Sequence, residues 1–281
     1  MHESTLPTFF VIGAPKCGTS SLHHYLGLHP QVSMTAVKEP QLFAGPEFDR
    51  DRLGRYAELL CADAEARGES SAVYSQYPRW PDVPERIHSV QPDARFIYLV
   101  GDPVERVVAH YEQRVVNGGE HRSLDEALED LAEPDSLYVC PSRYATQLGR
   151  YLRLFPASQL LVLDQRDLLV RREETLAHVF AFLEVGERFR SNAFAERVNT
   201  QEDHRVPSRL GRRLRGTGVV EAARSAPLPP PVRRALRRLV SRRTQRPRLQ
   251  EARRRELQRA LREEVEWLRG FTGRSFEGWS I

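Results

Sequence analysis

Residues 9–21 read Phe-Phe-Val-Ile-Gly-Ala-Pro-Lys-Cys-Gly-Thr-Ser-Ser, and the rest of the chain is organised around them. The four apolar residues Phe9 to Ile12 are short and β-rich, as a buried strand requires. Gly13 ends the run, and Pro15 and Gly18 bracket a tight loop. Thr19, Ser20 and Ser21 suit the start of a helix whose first turns are Leu22-His23-His24-Tyr25-Leu26. Strand, glycine loop and helix N-terminus together make a phosphate cradle, because free backbone N–H groups and the helix dipole both face the anion.

The loop departs from a Walker A sequence in one informative way. Gly13 and Gly18 keep the spacing of GxxxxGK(S/T), but Thr19 stands where the lysine belongs, and Lys16 lies two residues before the second glycine. A lysine after that glycine reaches β- and γ-phosphates. A lysine inside the loop lies over the 5′-phosphate and whatever it carries, so the pattern points to transfer of a group attached directly to a 5′-phosphate. Composition supports a site at Lys16. Of the 42 Lys and Arg residues only Lys16 and Lys38 are lysines. A compact ammonium on a flexible stem is poorly replaced by a planar guanidinium, so a lysine kept in an arginine-writing chain marks a demand for it.

Outward from the loop, the pattern predicts helices over 51–67, 82–91, 123–132, 143–155 and 173–184. Strands are predicted at 71–74, 95–100 and 159–163. Pro103 opens a further helix that turns Val104, Val107, Val108, Tyr111 and Val115 to one face. Alternating strands and helices imply an α/β fold, a P-loop-like parallel sheet with helices on both faces. The length suits one domain over residues 1–281, with a core at 8–200 and a basic linker and C-terminal helices at 201–281. Two amphipathic stretches carry that last part: Leu228, Val232, Leu236, Leu239 and Val240, then Leu257, Leu261, Val265 and Leu268.

Charge is uneven. Residues 205–262 hold 19 arginines against Glu221, Glu251 and Glu256, a net +16, which leaves −12 for the rest of a chain of formal net charge +4. Solvated helix faces account for most of these arginines. No interleaved aromatics or nucleic-acid motif accompany them, which argues against nucleic acid as a partner. Residues 1–8 carry no leader pattern, and no apolar run approaches a membrane span, so stable membrane insertion is not expected. Cys17, Cys61 and Cys140 are an odd count without metal-ligand spacing; a reducing cytoplasm and no metal are the expectation. Oligomeric state cannot be read from the sequence.

The stretch FFVIGAPKCGTSSLHHYLGLHPQV resembles the 5′-phosphosulfate loop of sulfotransferases that use 3′-phosphoadenosine 5′-phosphosulfate (PAPS). The bacterial and heparan-sulfate branch, whose loop reads PKxGTxxL, is the nearer type. VKEPQLF at 37–43, FIYLVGDPVERVVAHY at 96–111, SRYATQLGRYLRLFPASQLLVLDQRDL at 142–168 and EEVEWLRGFTGRSFEGW at 263–279 are similar to further segments of that family. The resemblance implies a cofactor site at Pro15, Lys16, Cys17, Gly18, Thr19, Ser20 and Ser21. Lys16 would stabilise the leaving oxygen, Glu39 would act as base toward an acceptor hydroxyl, and Lys38 would keep a carboxylate ionised or bind the sulfonate. Adenosine 3′,5′-bisphosphate would be the product, and a small molecule or carbohydrate the acceptor. Cys17 itself reads as a small loop residue, and His23, His24 and His110 as packing or surface residues.

Four positions depart from the family pattern: Gln41 for a histidine, Ser70 for a lysine, and Gly101 and Ala109 for the Arg and Ser that contact the 3′-phosphate. Arg106 is retained, and Arg205, Arg209 and Arg212 are candidate replacement cations. Two competing readings stand beside the transferase: a protein of this fold that binds a ligand without transfer, and a nucleotide kinase using Asp102 and Asp164 as Walker-B-like acids.

Overall fold

The computed structural model describes residues 5–196, 205–207, 241–243 and 246–281. Its strands are β1 (Phe9–Gly13), β2 (Val32–Met34), β3 (Ala66–Ser70), β4 (Arg95–Val100) and β5 (Leu160–Asp164). All pair parallel, in the order β2-β3-β1-β4-β5. β1 and β5 are buried along their whole length and β4 from Phe96 onward, the signature of parallel strands covered on both sides.

Helices flank this sheet: α1 (Thr19–Leu26), the single turn α2 (Tyr56–Leu59), α3 (Val83–His88), α4 (Pro103–Val116), α5 (Tyr144–Leu152), α6 (Gln165–Val170), α7 (Arg172–Phe182) and α8 (Glu251–Thr272). α4 buries Val104, Val107, Val108 and Tyr111, the face read from the sequence. α8 buries Leu257, Leu261, Val265 and Leu268 in the same way. Leu257 and Leu261 join Val104, Val107, Leu128 and Tyr138 in a second apolar cluster beside the sheet core. Among the described residues no helix is long and apolar enough to cross a membrane.

Strand order decides where a site can form. β1 connects through α1 to β2 on one side, whereas β4 connects to β5 on the other. Their carboxyl ends therefore open a crevice at a topological switch point, where ligands bind in such sheets. The pairing of β1 with β4 slips between Val11 and Gly13, a bulge of the kind that re-aims backbone next to sites. Gly13 is obligatory there, since a Cβ on it would lie 2.0 Å from Ser75 Oγ.

Several sequence expectations fail in instructive places. The strand expected at 71–74 lies instead at Ala66–Ser70, and Ala72–Ser75 forms a 3-10 turn. β3 carries the sequence Ala-Arg-Gly-Glu-Ser and shows no apolar alternation; sheet pairing and the Phe9 ring packed over Gly68 impose it. The helix expected at 51–67 shrinks to a 3-10 turn at Arg50–Arg55 followed by α2. The one expected at 123–132 is only the 3-10 turn Glu126–Leu128. β2 and α6 are short and were not anticipated. The amphipathic stretch around Leu228–Val240 and the linker residues before it, 208–227, lie outside the described residues. Either side of them, β6 (Arg205–Pro207) and β7 (Ser241–Arg243) pair antiparallel.

The final segment clasps the crevice end of the sheet. Arg274 pairs with Asp167, and Arg166 Nη1 donates to the Glu277 carbonyl at 2.8 Å. Ser280 donates twice to Asp102, from its N–H at 2.6 Å and from Oγ at 3.0 Å. Trp279 stacks on Phe276 with ring centroids 4.4 Å apart.

Candidate active site

A cleft of about 1040 Å³ opens at the carboxyl edge of the sheet, and every strand end contributes to its lining. Lys16 and Thr19 follow β1, Lys38 and Glu39 follow β2, and Val73 and Gln76 follow β3. Asp102, Arg106 and His110 follow β4, and Gln165 follows β5.

The phosphate loop is built from its own backbone. Ala14 N–H donates to the Leu99 carbonyl at 2.5 Å, and Cys17 N–H closes a turn on the Ala14 carbonyl at 3.1 Å. Gly18, at φ 94°, is the N-cap of α1 in the left-handed region that a side chain resists. It brings no side-chain oxygen to the helix start, and the first turn carries no acidic residue. The N–H groups of Gly18, Thr19 and Ser20 have no protein acceptor among the described residues. An uncapped helix start with free donors attracts an anion. Ser21 corrects the expected cradle, because its N–H donates to the Gly18 carbonyl at 3.0 Å; its side chain still lines the cleft.

Lys16, at φ 74°, faces the cleft, and among the described residues no carboxylate lies within ion-pair distance of it. Burial pulls its ammonium below the usual lysine range, with Glu112 opposing the shift and Arg106 and Lys38 adding to it. The Cys17 side chain is wholly buried, is not among the residues that line the cleft, and lies 3.9 Å from Tyr144 Oη. Burial pushes the thiol up to about 12, so the cations nearby do not activate it.

Lys38 and Glu39 form an ion pair of 2.5 Å that is about one quarter to one third exposed in the cleft. Glu39 sits at φ 59° and Gln41 at φ 55°, so the segment holds two side chains in the left-handed region at about 1–3 kcal/mol each. Main-chain anchors hold it there: Glu39 N–H donates to the Ser70 carbonyl at 2.9 Å, and Gln41 N–H to Ser71 Oγ at 3.2 Å. The Gln41 side chain lies 3.5 Å from Glu39 Oε2. Ser70 is buried, and its hydroxyl pairs with His23 Nδ1 at 3.1 Å. Burial first, then Lys38 and His24, depress His23 to about 4, so it is neutral at pH 7.

Arg106 lines the cleft but is largely engaged elsewhere. Its Nε donates to Ser142 Oγ at 2.5 Å and its Nη2 to the Tyr138 carbonyl, leaving Nη1 buried without a partner among the described residues. One turn on, His110 also lines the cleft, with Nδ1 buried and unpartnered among the described residues. Burial, with Arg106 and Arg114, lowers it to about 3. Gly101 is backed by Gln165, whose Oε1 would lie 2.8 Å from a Cβ there. The Arg205 side chain lies outside those described, as do Arg209 and Arg212. The basic segment reaches the cleft instead through Arg246, held by Glu105 at 3.1 Å and Glu112 at 3.6 Å on either side of Ala109.

Asp102 and Asp164 are helix caps. Asp102 accepts from the N–H groups of Val104 and Glu105 at 2.9 and 3.2 Å, and Asp164 from Arg166 N–H at 2.9 Å. Among the described residues no three or more His, Cys, Asp or Glu are grouped as metal ligands. Gln165, Arg172 and Arg246 are cleft residues the sequence did not single out. Only their positions after β5 and within the arginine-rich stretch distinguish them, and neither position is specific.

Comparison with known proteins settles the family. The profile of the sulfotransferase domain family matches residues 6–205. The chain belongs to the sulfotransferase family. The sulfotransferase domain is 26% identical over 197 residues to bovine (Bos taurus) bifunctional heparan sulfate N-deacetylase/N-sulfotransferase 2, covering 63% of this chain and 22% of that protein. It is 28% identical over 247 residues to human (Homo sapiens) carbohydrate sulfotransferase 15, covering 64% and 44%. The chain thus spans less than half the length of these relatives. The crystal structure of a sulfotransferase from Alicyclobacillus acidocaldarius superposes with a TM-score of 0.60 at 27% identity, covering 68% of this chain and 86% of that one.

Proposed function

We propose that this chain transfers a sulfuryl group from PAPS to a hydroxyl of a small molecule, sugar or glycolipid. The observation that carries the reading is one cleft holding two complementary halves. On one side are Lys16 and the N–H groups at the start of α1, which have no partner among the described residues; on the other is the Lys38–Glu39 pair. The residues present fit a polyanionic donor, since Lys16, three donor N–H groups and the unpartnered Arg106 Nη1 all await acceptors.

When bound, PAPS supplies a sulfuryl group linked through a bridging oxygen to its 5′-phosphate. The N–H groups of Gly18, Thr19 and Ser20 hold that phosphate. Lys16 would offset the negative charge left on the bridging oxygen once the sulfuryl group has moved to the acceptor. Glu39 would take the proton of the acceptor hydroxyl, and Lys38 would steady the carboxylate and the sulfonate oxygens. Each acts by position and charge, so orientation in the cleft supplies most of the rate. Carbohydrate acceptors are favoured by the relatives' names, and Arg246 is the described cation beside Ala109 that would meet a 3′-phosphate.

A second reading, ligand binding without transfer, is favoured by Gly101 and Ala109, which present no polar side chain to a 3′-phosphate. Incubation with PAPS and a panel of phenols and sugars, read as release of adenosine 3′,5′-bisphosphate, separates the two. Acceptor-dependent release supports transfer. Binding of the bisphosphate without release by any acceptor supports the second reading.

A further inference from the structure

Glu69, in β3, is wholly buried, and no described cation pairs with it. An isolated carboxylate in such a place costs several kcal/mol unless donors surround it. Here they do. Tyr56 Oη donates to Oε2 and Ser71 Oγ to Oε1, and the Tyr74 hydroxyl and the Gln41 main-chain N–H also face the group.

Two of these hydroxyls have a second task. Ser71 Oγ accepts from Gln41 N–H at 3.2 Å, and Tyr74 Oη accepts from Phe43 N–H at 3.1 Å. Just before those anchors, Glu39 N–H donates to the Ser70 carbonyl at 2.9 Å. Residues 39, 41 and 43 are thus pinned in turn, across the stretch where Glu39 and Gln41 take positive φ. A carboxylate only accepts hydrogen bonds. Burial pushes the Glu69 carboxyl up, and the donors around it oppose that shift by favouring the ionised form, in which it obliges the Ser71 and Tyr74 hydroxyl hydrogens to point at Glu69 and turns their lone pairs toward the loop.

We infer that Glu69 is a positioning residue: it sets the polarity of the Ser71 and Tyr74 hydroxyls, which fix the main chain around Glu39 and so place the Lys38–Glu39 pair in the cleft. The inference rests on Glu39 acting as the base of the proposed transfer. A glutamine at 69 keeps the shape but presents an N–H₂ group, so one hydroxyl must reverse and one loop N–H loses its acceptor.

The test is hydrogen exchange by mass spectrometry on the full chain, with kcat and calorimetry of adenosine 3′,5′-bisphosphate, for Glu69→Gln and Tyr74→Phe. The expected result is faster exchange confined to residues 38–43, with protection of β1 and β4 unchanged. Bisphosphate affinity should stay within about twofold, and kcat should fall about tenfold to hundredfold, as for a displaced catalytic group. Unchanged exchange at 38–43, faster exchange spread over the whole sheet, or faster exchange with undiminished kcat overturns the inference. If Glu69→Gln does not fold, Tyr74→Phe decides by the same exchange criterion. If wild type transfers to no acceptor, the exchange result still judges Glu69, while the failed transfer counts against the proposed function alone.

Discussion

Replacing Glu39 by glutamine removes the proposed base while leaving its shape. The Lys38–Glu39 pair is only partly buried, with 24% and 33% of the side chains exposed. Such pairs contribute about 0.2–1 kcal/mol, so Tm should fall by no more than about 4 °C. The main-chain bond from Glu39 N–H to the Ser70 carbonyl does not involve the side chain and should persist. Catalysis should respond on a different scale. A positioned general base contributes about 10²–10⁴ in rate, equivalent to about 3–5 kcal/mol of barrier. The assay is steady-state kcat with an alcohol acceptor, alongside calorimetry of adenosine 3′,5′-bisphosphate. A large loss in kcat with bisphosphate affinity and Tm nearly unchanged is expected. Wild-type kcat at neutral pH with an alcohol acceptor refutes the role of Glu39. A parallel loss of bisphosphate binding shows that the variant disturbs the cleft as a whole and not proton transfer.

Lys16→Ala should lower kcat about 10²–10³-fold, the usual cost of one electrostatic contact in the transition state. It should not lower Tm, because burial already disfavours the charged ammonium; thermal melts with and without the bisphosphate check both points. His110 is depressed to about 3 in the fold against 6.5 unfolded. Between those values the unfolded chain binds the extra proton, so stability should fall as pH drops from 6.5 toward 3, with a limiting slope of about 1.4 kcal/mol per pH unit. Denaturant titrations of His110→Gln across that range should show a shallower slope than wild type. Asp102→Ala removes two cap bonds on α4 and two to Ser280. The cap alone is worth about 0.5–2 kcal/mol, so a clear fall in Tm and faster exchange at residues 274–281 are expected, whether or not EDTA is present.

The sequence revealed most where one local signal was sufficient. The loop at 13–21 carries its own punctuation, β4 and β5 are continuous apolar runs, and α4 and α8 carry apolar periodicities that packing does not override. The strand at 66–70 was hidden because Gly68, Glu69 and Ser70 belong there for tertiary reasons: close approach to Phe9, the hydroxyl network and the pairing with His23. Lys16 and Lys38 stood out through residue choice and spacing and Glu39 through the family resemblance, and the fold places all three on one cleft. Cys17 and Ser21 were assigned by adjacency, which cannot tell a residue facing the cleft from one whose thiol enters the core or whose N–H closes a turn. Arg246 and Gln165 depend on where distant segments meet β4 and β5, and no local pattern encodes that meeting.

The central claim is that this cleft moves a sulfuryl group off a 5′-phosphate with Lys16 at its centre. The most direct measurement incubates wild type and Lys16→Ala with PAPS and a mixed panel of phenols, sugars and glycolipids. Mass spectrometry then looks for an acceptor carrying one added sulfuryl group, and chromatography quantifies adenosine 3′,5′-bisphosphate. The expected result is a sulfated acceptor and an equal amount of bisphosphate with wild type, both about 10²–10³-fold lower with Lys16→Ala. Equal turnover by the two proteins, or phosphoryl transfer from ATP with none from PAPS to any acceptor, contradicts it.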